Sequence, residues 1–141
     1  MYEAMISTKD EALCHLFLHC CYKDGEFNEK ELDYVSGLFV ELELHQTLNF
    51  KDEIKKYLSY KNVVADEQAY LIYVIKLINP VHDYALYSYC VELELSDALL
   101  EQREEKLLEN IAGILGIEQN FQYYTKKMMM QRKAVESGKF F

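Results

Sequence analysis

Apolar side chains recur at three- and four-residue steps along most of the chain, the spacing of one face of an α-helix. The first segment of this kind has its apolar positions at Leu13, Leu16, Phe17 and Cys20. Thr8 precedes these positions and Glu11 follows three residues later, which predicts a capping box at the helix start. No segment shows a convincing alternation of apolar and polar residues, which would indicate a β-strand. The pattern therefore predicts an all-α fold.

Capping residues and breaks divide the chain into about seven short helices. Asp24-Gly25 and Gly116 are expected to end helices, since glycine readily adopts the left-handed conformation of a C-cap. Pro80 is expected to begin one, because proline is tolerated at the first helical position. The predicted helices cover about residues 8–24, 28–42, 49–59, 66–77, 80–95, 97 or 101–115, and 118 to 135–137.

One helix–turn–helix unit occurs twice when the sequence is shifted by 73 residues. The segment DGEFNEKE (24–31) then lies over DALLEQRE (97–104). Both have an apolar residue three positions after the aspartate and a glutamate seven positions after it. This predicts one domain, 1–141, with repeat units at about 10–48 and 83–121 related by a pseudo-twofold axis, and a basic C-terminal helix at about 118–137.

Composition and charge narrow the function classes. The 141 residues carry a net charge of −9, which disfavours a nucleic-acid surface, because phosphate contacts need clustered Lys and Arg. Residues 126–141 carry +4 and the rest of the chain −13. There is no apolar run of membrane-spanning length and no signal-peptide pattern. Four cysteines, with Cys20 and Cys21 adjacent, are typical of reduced thiols and predict a cytoplasmic protein.

The duplicated unit resembles the TerB (tellurite-resistance) family and the related N-terminal domain of DjlA-type co-chaperones. The resemblance is carried by CYKDGEFNEKEL (21–32) and EEKLLENIAGILGI (104–117), and it extends over most of residues 10–120. It implies an all-helical cytoplasmic protein without a known catalytic reaction. It also implies acidic turn residues that bind a divalent metal, which here are Asp24, Glu31, Asp97 and Glu104.

The same carboxylates allow two interpretations. Carboxylate oxygens suit Ca²⁺, Mg²⁺ or Mn²⁺ when several converge, and two adjacent turns would supply enough of them. Alternatively, Glu31 is the third residue after Asn28 and completes a capping box without any metal. The two interpretations are both retained.

Other chemistry-bearing residues give weaker signals. His15 and His19 are four residues apart, as zinc ligands sometimes are, but no second ligand cluster follows. Tyrosines crowd residues 70–89 and recur at Tyr123 and Tyr124, as in cores or in interfaces. Nucleophile-elbow, dinucleotide-binding and phosphate-loop motifs are absent.

The sequence thus predicts a non-enzymatic binding or stress-response module of the TerB type. No organic cofactor is predicted, and the partner is an unknown protein rather than a nucleic acid or an integral membrane. The alternative is a structural or scaffolding interaction domain that binds no metal and forms a homodimer.

Overall fold

A computed structural model describes residues 1–22, 29–95, 102–139 and 141. Within these residues the chain forms seven α-helices and three short 3₁₀ turns, and no strand, so the all-α prediction is confirmed. The helices are α1 (Lys9–Cys21), α2 (Glu29–Glu41), α3 (Phe50–Tyr60), α4 (Glu67–Ile78), α5 (Asp83–Glu94), α6 (Gln102–Leu115) and α7 (Gln119–Gly138).

Helix α1 lies at the centre of the bundle. It contacts α2, α3, α4 and α5, with its longest interface against α4. Its side chains are buried on every side, including five consecutive residues from Cys14 to Leu18. The sequence predicted a single apolar stripe on this helix, and the structure corrects this, because Leu18 on the opposite side is also fully buried.

Several predicted helix ends are confirmed in detail. The Glu11 amide donates to Thr8 Oγ1 over 3.1 Å and the Thr8 amide donates to Glu11 Oε1 over 3.1 Å, which is the capping box. The side chains of Asn49 and Asp66 accept a backbone amide at the starts of α3 and α4. These bonds satisfy amides that a helix start otherwise leaves without a partner.

The helix pair α5–α6 ends where the sequence predicted but does not begin there. Gly116 has φ +73° and the Ile117 amide donates to the Ala112 carbonyl over 2.9 Å, which completes a Schellman-type end as predicted. The expected role of Pro80 was wrong. Asn79 adopts the left-handed conformation and α5 begins only at Asp83, so Pro80 lies in the connection between α4 and α5.

The remaining helices complete the bundle. Helix α6 packs on α4 and α5, and α7 packs along α5. The pairs α1–α2 and α5–α6 are each in contact, but the internal repeat stays a prediction, because its two turns, including Asp24 and Asp97, lie outside the described residues. No helix in the described part of the chain is long and apolar enough to cross a bilayer.

Candidate functional site

The predicted metal ligands divide into two groups. Glu31 lies in the first turn of α2 with 4% of its surface exposed, and Glu104 lies in the first turn of α6 with 2% exposed. Asp24 and Asp97 lie outside the described residues, as do Asn28 and the capping box that it would form with Glu31. Two of the four predicted ligands are therefore buried carboxylates at equivalent positions of their helices.

Two further buried carboxylates, Glu53 and Glu94, were not predicted. Glu94, in the last turn of α5, is fully buried between Leu93 and Leu95, which are buried as well. Burial of a carboxylate is costly without hydrogen bonds, a counter-ion or a metal. Among the residues that the structure describes, no group of three or more His, Cys, Asp or Glu side chains is placed to hold a metal ion.

His15 lies at the centre of a buried polar network that the sequence did not predict. Its Nε2 is 2.9 Å from Glu53 Oε1, and its Nδ1 is 2.6 Å from the Tyr60 hydroxyl. The Tyr60 hydroxyl is in turn 2.6 Å from that of Tyr70. All four side chains are almost fully buried. The network therefore joins α1, α3 and α4 through hydrogen bonds inside the core.

One proton arrangement satisfies every group in this network. We assign His15 Nε2–H as the donor to Glu53, the Tyr60 hydroxyl as the donor to His15 Nδ1, and the Tyr70 hydroxyl as the donor to Tyr60. Burial raises the pKa of the Tyr60 and Tyr70 phenols well above the ordinary value, so both stay protonated. Lys56 Nζ lies 3.1 Å from the other Glu53 oxygen.

His19, one turn further along α1, repeats the arrangement nearer the surface. Its Nδ1 is 2.8 Å from the Tyr57 hydroxyl and its Nε2 is 2.9 Å from Glu67 Oε2. Two histidines four residues apart thus each contact a tyrosine of α3 and a glutamate of α3 or α4. Zinc was the alternative interpretation of this spacing, but in the structure the ring nitrogens of both histidines contact these phenols and carboxylates.

The pKa of Glu53 makes one contribution to stability depend on pH. Burial raises this pKa, but hydrogen bonds from His15 and Lys56 outweigh burial and hold it below the ordinary value of 4.5. A carboxyl group with a lowered folded-state pKa stabilises the fold above its unfolded-state pKa. That contribution is lost as the pH falls from about 4.5 through the lower folded-state value.

We therefore expect the free energy of unfolding of Glu53→Gln to decrease less than that of the wild type when the pH is lowered from about 5 to about 3. Urea unfolding at several pH values measures this slope. Some dependence of the unfolding free energy on pH should remain in Glu53→Gln, because Glu11 and Glu67 also have lowered pKa values. Glu41→Gln, at an exposed position of α2, is the matched control and should follow the wild type. Equal slopes for all three proteins would contradict the assignment.

An open groove lies between α6 and α7. It has a volume of about 950 Å³. One wall is formed by Glu105, Glu109 and Gly113 of α6, and the other includes Lys126 and Lys127 of α7. The groove stays open because α7 packs mainly along α5.

A smaller cleft of about 710 Å³ lies where the starts of α1 and α3 meet. Asp10, Glu11, Asp52 and Glu53 line it together with Lys56. The Thr47 hydroxyl donates to Asp10 over 2.6 Å, and Lys56 Nζ lies 3.7 Å from Glu11. Lys56 thus compensates Glu11 and Glu53, and Glu53 belongs both to the lining of this cleft and to the His15 network.

Comparison with known proteins identifies no relative of the chain. The chain matches no family model, no curated protein and no solved structure. The resemblance to the TerB family therefore remains a prediction carried by the residues quoted above.

Proposed function

We propose that the chain is a non-enzymatic, TerB-like binding module of the cytoplasm that takes up a divalent metal at its acidic inter-helix turns. One observation supports this most directly. Glu31 and Glu104, 73 residues apart, are both almost fully buried in the first turn of a helix that follows a predicted acidic turn. Burial of a carboxylate is offset only by hydrogen bonds, a counter-ion or a metal.

The chemistry of these donors suits a hard cation. Carboxylate oxygens are the preferred ligands of Ca²⁺, Mg²⁺ and Mn²⁺, and several must converge to replace the hydration shell of the ion. The described residues supply no complete group of donors, so a site would need Asp24 and Asp97 beside Glu31 and Glu104. When bound, the ion would compensate the negative charge of the carboxylates and lock the two turns together.

The proposal predicts metal-dependent stability. After removal of bound ions with a chelator, the protein is unfolded thermally during titration with Ca²⁺, Mg²⁺, Mn²⁺ or Zn²⁺. An ion present at about 100 times its dissociation constant should raise the unfolding free energy by about 2.7 kcal/mol. For a chain of this size, that shift corresponds to several degrees in Tm.

Matched variants separate a site from nonspecific binding. Glu31→Gln and Glu104→Gln should abolish the shift, each measured against its own metal-free baseline. Glu105→Gln, next to Glu104 but exposed, should retain it. A flat response to all four ions would reject the metal site and favour the alternative, a structural or interaction domain in which Glu31 serves as a helix cap.

A further inference from the structure

Helix α7 leaves much apolar surface uncovered. Three of its side chains are buried, Thr125, Met129 and Lys133, and they form one narrow stripe at four-residue steps. Four of its large apolar side chains are about half exposed or more: Tyr123 (59%), Tyr124 (64%), Met128 (52%) and Met130 (52%). Two of these four, Tyr123 and Met130, line the groove beside α6, and an exposed apolar strip in a groove is typical of a contact with another element.

The groove beside α7 has walls of opposite charge. On α6, Glu105 and Glu109 are one helical turn apart and both are exposed. Lys126 and Lys127 supply the opposite charge from α7, and the apolar side chains of Tyr123 and Met130 lie in the same lining. The lining thus combines one acidic wall, one basic wall and an apolar strip, with tyrosine and methionine of the kind enriched in protein interfaces.

We propose that the occupant of this groove is a second copy of the chain, bound about a twofold axis through the α6–α7 face. In a twofold interface each contact occurs twice, with the two partners exchanged. When that axis runs along the groove, the acidic wall of each copy faces the basic wall of the other. Opposite charges are also separated along the chain, since residues 126–141 carry +4 and the remaining residues carry −13.

Charge favours a second copy over a partner segment of a single sign. A partner segment of one sign would pair with one wall and oppose the other, and like charges in an interface are unfavourable. A second copy offers both signs in the matching order. This inference goes beyond the metal site, because the α6–α7 lining includes neither Glu31 nor Glu104, and it can fail or succeed independently of metal binding.

The test is sedimentation equilibrium of the full chain from about 1 µM to about 1 mM, a range that covers moderate and weak dissociation constants. The buffer contains about 0.15 M salt, which screens charges more than about 8 Å apart. The net charge of −9 on each copy is then largely screened. We expect a monomer–dimer equilibrium. A wild type that remains monomeric over the whole concentration range overturns the proposal. The proposed metal-binding function is tested separately, by the metal titration.

Two charge-reversed proteins test the orientation of the interface. In the double variant E105K/E109K both walls are basic, and in K126E/K127E both are acidic. Each alone should dimerise about 100-fold more weakly than the wild type, since like charges then face each other. An equimolar mixture should regain dimers, because the variants complement one another at both contacts. Dimers in either variant alone at wild-type strength, or no recovery in a mixture of two folded variants, would overturn the twofold arrangement.

A milder pair of variants covers the case in which a charge reversal unfolds the protein. Met130→Ser removes an apolar side chain of the groove lining and should weaken dimerisation by about tenfold, as expected for loss of part of a buried side chain. Met128→Ser is the matched control, since Met128 is equally exposed on α7 but does not line the groove. Equal dissociation constants for these two variants would contradict the assigned face.

Discussion

Replacing His15 by alanine is expected to lower the free energy of unfolding by about 3–5 kcal/mol, because two buried polar groups lose a hydrogen-bond partner and the ring leaves a cavity. The Glu53 carboxylate would remain buried without its 2.9 Å partner. The hydroxyl of Tyr60 would lose its 2.6 Å acceptor in the proposed proton arrangement. The imidazole ring also stacks on the Tyr60 ring at 5.6 Å, so its removal leaves a cavity.

Chemical denaturation at neutral pH, read by circular dichroism, measures this effect. His45→Ala is the matched control, because His45 is exposed in the turn that follows α2. A surface substitution of this kind should change the unfolding free energy by no more than about 0.5 kcal/mol. Equal stabilities of the two variants would show that the network does not hold α1, α3 and α4 together.

Local signals explain why so many helix ends could be predicted. The Thr8–Glu11 box, the Asn49 and Asp66 caps and the Gly116 end each depend on residues within one helical turn of one another. Such interactions are specified by short sequence segments and need no knowledge of the tertiary fold. Pro80 shows the limit of this reasoning, because its fixed φ suits the connection between two helices as well as a helix start.

The buried network could not be predicted because its partners are distant in sequence. His15 meets residues 38 and 45 positions away, and only the packing of α3 and α4 against α1 brings them together. The sequence did contain one signal, two histidines at a four-residue spacing, but that spacing fits zinc ligands, surface residues and core hydrogen bonds equally. Glu31 and Glu104 were selected from the sequence, whereas Glu94 was not, because it lies outside the repeated acidic pattern.

The central position of α1 also follows from tertiary packing rather than local pattern. The apolar positions Leu13, Phe17 and Cys20 suggested one buried side, and the histidines interrupted the apolar pattern on the others. In the structure those histidines are accommodated by phenols and carboxylates. A helix can then be surrounded on all sides although its sequence carries polar groups, because the polar groups find partners within the core.

Leu18→Ala distinguishes a surrounded helix from a one-sided one. Leu18 lies opposite the predicted stripe, so a surface helix would tolerate its truncation with little loss of stability. In the structure it is fully buried, and truncation of a buried leucine costs about 2.7–5 kcal/mol through lost burial and a residual cavity.

The comparison that decides the point needs three proteins in guanidinium unfolding. Leu16→Ala, on the predicted stripe and also fully buried, should lose about as much stability as Leu18→Ala. Leu58→Ala on α3, where the side chain is 42% exposed, should lose less than about 1 kcal/mol, since little apolar area leaves a packed environment. If Leu18→Ala behaves like Leu58→Ala instead, α1 is packed on one side only. The inward-facing His15 and His19 would then lose the protein environment that their hydrogen bonds require.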